Sequence, residues 1–302
     1  MASTIKCRKR GGTTILSQLR IADLINTKAV VDYVFERQNE NGGFTFCRGT
    51  ESNAQDTYYA LKILEMLSVS PDNTERTVHF LQGLQREDGN FDSVKVAYYV
   101  VESLSQLGAA LTKPLDSILQ FFHAILKGLE SPSTYVEIVS EIENLHFAVE
   151  LLHKLNFPFN EKQVGKQVLS LRNNDGSFGS TMHSQIASTY HALETLKIMD
   201  YDVRSLCDTL RWIRRCEVPT GGFVSSPELS SMYIEDIYYG VKALEVLNES
   251  FRYPLGTLEL IAKFQNPNGG FRRSVFLGIS DFESTYYALS CIKTVLLSSK
   301  ER

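Results

Sequence analysis

A short pattern recurs along this chain at a nearly constant interval, and such periodicity restricts the fold more than any other feature. It reads Gln38-Asn-Glu-Asn-Gly42-Gly43-Phe44, Gln85-Arg-Glu-Asp-Gly89-Asn90-Phe91, Arg172-Asn-Asn-Asp-Gly176-Ser177-Phe178 and Gln265-Asn-Pro-Asn-Gly269-Gly270-Phe271. A fifth copy, read from Cys216 through Gly221-Gly222-Phe223, carries one extra residue in that alignment. The leading glycines are spaced by 47, 87, 45 and 48 residues, so the long interval covers two periods with a decayed copy near Ser131 to Leu155. Six units of about 45 residues then span most of the chain.

A second element follows each turn. It appears as Asp56-Thr-Tyr-Tyr-Ala-Leu, Val96-Ala-Tyr-Tyr-Val-Val, Ser188-Thr-Tyr-His-Ala-Leu, Asp236-Ile-Tyr-Tyr-Gly-Val and Ser284-Thr-Tyr-Tyr-Ala-Leu, and Asn144-Leu-His-Phe-Ala-Val keeps it in the decayed unit. Apolar residues surround most of these helical segments, which predicts burial. Between them, Thr74 to Gln85 and Glu161 to Leu171 carry apolar residues on one side only, which predicts surface helices. Glycine in the turn is expected to take the left-handed backbone that stops a helix, with the following Phe as an anchor and the Gln bonding loop backbone.

Two helix types alternating six times predict two concentric rings: an all-α fold, an α/α barrel of about six helix pairs. The competing arrangement is an open solenoid of helical repeats. Inner helices too apolar for an exposed concave face favour closure. Residues 1–20 read as a basic tail, with Lys6, Arg8, Lys9 and Arg10, and residues 21–302 as a single α/α-barrel domain.

Charge and composition exclude several classes. Lys and Arg total 31 against 35 Asp and Glu, a net charge of −4, which argues against a nucleic-acid binder. No apolar run follows the basic start, as a secretory signal would require, and none is long enough to span a membrane. Five cysteines without a CxxC pair argue against disulfide scaffolds and cysteine-rich zinc sites, and the expected location is the cytoplasm.

These residues resemble the repeats of the protein prenyltransferase beta subunits and of the squalene and terpene cyclases, over roughly residues 30 to 297. The match is nearest to geranylgeranyl and farnesyl transferase beta subunits. That resemblance implies prenyl transfer to a cysteine, or isoprenoid cyclisation, in an aromatic-lined barrel. The stretch Gly42 to Gln55 looks like the segment that binds an isoprenoid diphosphate, with Arg48 kept and Asn53 where the family has His. A guanidinium fork suits a phosphate.

The zinc site of the transferases is not kept. Asp236-Ile-Tyr238 occupies the family's Asp-x-Cys position, and Tyr287 stands where its His would be; Asp56-Thr-Tyr58 departs in the same way. His191 holds the His register one repeat too early. Zinc is disfavoured and no cofactor is expected. The cyclases' DxDD acid is absent too; the nearest carboxylates are Glu235-Asp236 and Asp281-Phe-Glu283, at inner-helix starts, where capping is the ordinary use. Asp236, Asp281 and Glu283 are accordingly the candidate catalytic acids.

Nine of the 14 tyrosines stand in the first turns of the inner helices, and a barrel would gather them into one band offering apolar surface and π faces to a hydrocarbon or carbocation. In each pair, one ring is expected to pack between helices and the other to face the lumen. The candidate ligand-binding residues are Arg48, Asp56, Tyr58, Tyr98, Tyr190, His191, Tyr238, Arg272, Arg273 and Tyr286, the three arginines forming an anion clamp if repeats one and six meet. His183 is a further candidate for the lumen.

Three functions follow: a prenyltransferase-like enzyme acting on a prenyl diphosphate, a terpene cyclase using a non-standard carboxylate, or an inactive barrel serving as a binding or scaffold subunit. The last would pair an exposed apolar patch of the outer ring with a helical-repeat alpha-type partner. A carbohydrate-acting barrel is disfavoured by the single Trp212, placed in an outer helix.

Overall fold

Four of the inner helices begin where a side chain caps them. Asn53, Ser93, Ser184 and Asp281 each accept a hydrogen bond from a backbone N–H in the first turn of the helix that follows. The computed structural model describes residues 16, 18–113, 141–276 and 278–300. The twelve helices among them are, in chain order, α1 (Ile21–Leu24), α2 (Thr27–Phe35), α3 (Ala54–Met66), α4 (Thr74–Gly83), α5 (Val94–Gln106), α6 (Glu141–Lys154), α7 (Glu161–Ser170), α8 (Gln185–Ile198), α9 (Cys207–Cys216), α10 (Ile234–Val246), α11 (Pro254–Ala262) and α12 (Phe282–Ser298). Strands β1 (Phe271–Arg272) and β2 (Ser280–Asp281) pair antiparallel, Phe271 opposite Asp281.

Six helices, α3, α5, α6, α8, α10 and α12, form the inner ring. Each packs on the next, and α12 packs on α3, so the ring is closed. Helices α2, α4, α7, α9 and α11 lie outside it. The decayed turn and outer helix expected near Ser131 fall largely outside the described residues, but α6 supplies the inner helix of that unit. The fold is the expected α/α toroid.

The turns do different work from that expected. A β-bridge joins Gln38 to Phe44, Arg172 to Phe178, Glu217 to Phe223 and Gln265 to Phe271, so each of these four turns is a small hairpin. Its glycine is left-handed inside that hairpin, not at a helix end. The inner helices α3, α5, α6, α8 and α10 are stopped instead by left-handed Ser68, Gly108, Asn156, Asp200 and Asn248, mostly small polar residues that tolerate this conformation. The fifth copy also changes register: Glu217 holds the Gln place, so it has no extra residue.

Each hairpin presses on the next outer helix. A Cβ on Gly221 would lie 2.0 Å from the Gly256 backbone, and one on Gly269 would lie 1.9 Å from that of Ala29. The second contact joins the last repeat to the first. Gln265 Nε2 donates to the carbonyls of Gly269 and Asn26, both at 3.1 Å, and its Oε1 accepts from Asn26 N at 3.0 Å. Gln38 and Gln85 likewise donate to the carbonyls of Gly42 and Gly89. The loop phenylalanines are buried, each worth roughly 2–3 kcal/mol. Their backbone N–H groups at Phe44, Phe178 and Phe271 donate to Thr57, Thr189 and Thr285, which ties turn to inner helix.

Candidate active site: an aromatic girdle inside the toroid

The twin aromatic positions of the six inner helices come together at one level. Helix α3 contributes Tyr58 and Tyr59, α5 Tyr98 and Tyr99, α6 His146 and Phe147. Helix α8 contributes Tyr190 and His191, α10 Tyr238 and Tyr239, α12 Tyr286 and Tyr287. All twelve rings line one central cavity of about 600 Å³. Ring contacts run from helix to neighbouring helix around the whole circle, for example Tyr58 to Tyr98 at 5.7 Å, Tyr98 to Phe147 at 4.7 Å and Tyr238 to Tyr287 at 4.2 Å. The band extends the expected one, and both rings of each pair reach the cavity, whereas one was expected to pack away from it. Consecutive helix positions lie about 100° apart, which lets two rings share a concave wall.

Below the girdle, one helical turn further along, stand charges: Glu102, Glu150 and Glu194, with Lys154 and Lys242. Lys154 pairs with Glu102. Sequence reading missed this belt, together with His146 and Phe147. The signal was present: Glu102, Glu150, Glu194 and Lys242 each follow the first aromatic of their unit by four residues, on otherwise apolar helices.

The candidate acids sit at the opposite end, where the inner helices begin. Glu283 is partly buried and accepts hydrogen bonds from Tyr59 Oη at 3.0 Å and Tyr287 Oη at 2.8 Å; desolvation raises its pKa. Asp236 accepts from Ser184 Oγ at 3.1 Å, and burial, with the adjacent Glu235 carboxylate, pushes it up to about 7. Asp281 caps α12, accepting from Ser284 N at 2.6 Å and Ser284 Oγ at 2.9 Å. Asp56 is held by Asn53 Nδ2 at 2.7 Å and Phe46 N at 3.1 Å. Burial raises both of these carboxyls as well. Of the four, Glu283 alone bonds directly to girdle residues.

Each of the three arginines is engaged separately, and none lines the cavity. Arg48 pairs with Glu36 on the surface. Arg272 donates to the Lys263 carbonyl at 3.2 Å. Arg273 bonds Glu235 at 2.5 Å and stacks over Tyr233. They stand on the loops leading into α3 and α12, which are neighbours in the closed ring. His183 does not line the cavity, and Trp212 is buried in α9.

The donor set at the transferase zinc register does not suit zinc. Asp236 is followed by Ile237 and Tyr238, and the hydroxyls of Tyr238 and Tyr287 are pushed well above their ordinary range by burial. Neutral phenols are weak ligands. Among the described residues no cluster of three His, Cys, Asp or Glu is placed to hold a metal ion. No described helix is long and apolar enough to cross a membrane.

The model of the prenyltransferase alpha-alpha toroid domain matches residues 11–98, 114–231 and 180–300. The chain belongs to the prenyltransferase alpha-alpha toroid family. Similar solved structures include a Candida albicans protein geranylgeranyltransferase-I complexed with GGPP (TM-score 0.70, 14% identity, covering 89% of this chain and 91% of that one). A variant of the Scytonema type II terpene cyclase MstE, in complex with geranylgeranyl dihydroxybenzoate, is also similar (TM-score 0.60, 12% identity, covering 91% and 96%). So is a protein from Actinoplanes (TM-score 0.55, 13% identity, covering 90% and 98%). At these identities the likeness is one of fold. No curated protein sequence matches the chain.

Exposed apolar side chains of this toroid crowd the loops that lead into the inner helices. Phe46, Met182, Leu229, Phe276 and Ile279 are all exposed there, Phe276 at 91%. The outer-ring face was the expected place. The loops leading into the inner helices are where they stand, because outer helices turn their apolar side inward while these loops bridge past the core.

Proposed function

We propose that this toroid binds an isoprenoid chain in the aromatic girdle and acts on a prenyl diphosphate, as a prenyltransferase-like enzyme. One observation carries the reading: twelve rings surround a cavity of about 600 Å³. That volume lies within the range of small-molecule sites, and such walls offer apolar area and π faces to a prenyl tail or its allylic cation. Arg48, Arg272 and Arg273, on the adjoining loops that lead into α3 and α12, supply positive charge for the diphosphate. The cavity itself is lined by Glu102, Glu143, Glu150 and Glu194 against two lysines, Lys154 and Lys242, a net negative lining that disfavours a diphosphate within it and leaves that space to the tail. The relatives bear on this through what they hold: one solved toroid contains GGPP, another geranylgeranyl dihydroxybenzoate.

Titrating the purified protein with farnesyl and geranylgeranyl diphosphate, by calorimetry, tests the reading. Micromolar dissociation constants are expected, and Arg273→Gln should weaken binding several-fold. Binding weaker than roughly millimolar would overturn it.

A second reading, cyclisation, is favoured by Glu283. It is a partly buried carboxyl of raised pKa that does not itself line the cavity but is bonded to two phenols whose rings do. A protonated carboxyl so placed can give a proton to an alkene by way of Tyr59 or Tyr287, the phenol passing on its own proton and regaining one from the carboxyl, and the rings can stabilise the resulting cation. Under this reading Glu283→Gln keeps ligand affinity and loses cyclised product, measured by mass spectrometry of extracted lipids. Tight binding with no product from either the native protein or any acceptor would instead favour the non-catalytic binding subunit.

A further inference from the structure

Two histidines stand side by side in the girdle, their rings 4.9 Å apart, and their situations differ. His146 is satisfied: Nδ1 meets Thr195 Oγ1 at 3.3 Å, and Nε2 meets Glu150 at 3.3 Å. His191 lines the same cavity and is 4% exposed, yet among the described residues no group bonds either of its ring nitrogens. Its surroundings are the rings of Phe147, Tyr190 and Tyr239, at 5.1–5.8 Å. Burial holds it well below its ordinary pKa, so it is a neutral imidazole. Such a ring carries one N–H donor and one acceptor nitrogen. Leaving a buried polar group unpaired is costly, and an all-hydrocarbon occupant would leave both unpaired.

We infer that His191 is a specificity residue that hydrogen-bonds a neutral hydroxyl of the bound molecule, so that the isoprenoid ligand of this toroid carries an alcohol function seated within the girdle. The inference rests on the isoprenoid reading above. A hydroxyl both donates and accepts, so it meets the imidazole in either tautomer. A carboxylate or phosphate at this depth would face Glu143 and Glu150, while the two lysines lining the same cavity are already paired, Lys154 with Glu102 and Lys242 with Glu245. An ammonium would be drawn to those carboxylates and would gain only one bond from the histidine. The neutral alcohol is the group that suits a neutral donor–acceptor among phenyl and phenol rings.

Competition binding of farnesol and of farnesene, a hydrocarbon of the same chain length, against bound farnesyl diphosphate tests this in native protein, His191→Phe and His191→Gln. The quantity read is the ratio of the two affinities, which removes effects common to both ligands. Native protein is expected to favour the alcohol about ten-fold more than His191→Phe does. His191→Gln, which keeps a donor and an acceptor, should retain most of that preference. NMR of isotope-labelled histidine should show the His191 ring nitrogens shifting with farnesol and not with farnesene. Equal ratios in native and His191→Phe protein, or unmoved ring nitrogens, would overturn the role of His191 and leave the isoprenoid reading standing. Failure of all three ligands to bind native protein would overturn the isoprenoid reading itself.

Discussion

Asp236 shows how one buried carboxyl ties stability to pH. In the unfolded chain an Asp releases its proton near pH 4, whereas in the toroid it holds it up to about 7. The folded state is therefore penalised progressively as pH rises across that window, and the stability this group allows at low pH is lost above it. Asp236→Asn keeps an acceptor for Ser184 and removes the charge. It should leave stability unchanged near pH 4 and raise it by up to about 4 kcal/mol at pH 8. Urea denaturation at the two pH values checks this; an equal effect at both would mean that the carboxyl titrates normally. Asp236 was visible in the sequence as a carboxylate at a helix start. Its burial was not, because the wall that desolvates it comes from a neighbouring repeat.

The turn hairpin is the element that sets the spacing of the toroid. Gly221 has φ +100° and its missing Cβ faces the Gly256 backbone at 2.0 Å, so Gly221→Ala must move α11. A loss of about 3 kcal/mol or more is expected. Gly49 also has positive φ, +85°, but faces open space, and Gly49→Ala should cost only about 1 kcal/mol. At Gly83, the last residue of α4, nothing obstructs a Cβ, and Gly83→Ala should be stabilising by about 0.5–1 kcal/mol. Thermal or denaturant unfolding of the three variants checks the ranking. The hairpin was legible as a conserved spacing within this one chain, Gln to Phe. Its partner was not: Thr57, Thr189 and Thr285 bond the turn from thirteen, eleven and fourteen residues away.

For the whole molecule, closure is the feature that separates a toroid from a solenoid. Repeats one and six meet through Gln265 and Asn26 and through α12 on α3. Gln265→Ala removes two bonds between the end segments and one within its own turn, and should cost about 2 kcal/mol. Deleting residues 264–302 removes α12, exposes the flanks of α3 and α10 together and opens the girdle. An open solenoid would lose one unit's share of stability under this truncation; the toroid should lose cooperative unfolding altogether. Denaturation followed by circular dichroism distinguishes the two outcomes, and a truncated chain with a sharp transition would contradict the closed ring.

The chain alone determined the repeat, the alternation of buried and one-sided helices, the number of units and the level at which the tyrosines gather. These are periodic properties, and a period is written in one dimension. Which rings face the centre, which carboxyls lose water, which histidine is left without a partner and where the three arginines settle were decided by the tertiary structure. The first three depend on atoms contributed by other repeats, as Glu283 with Tyr59 illustrates, whereas the arginines settle on groups nearer along the chain, Glu36, Lys263 and Glu235. Neighbour identity across a closed ring sets burial and hydrogen bonding, and no local pattern encodes it.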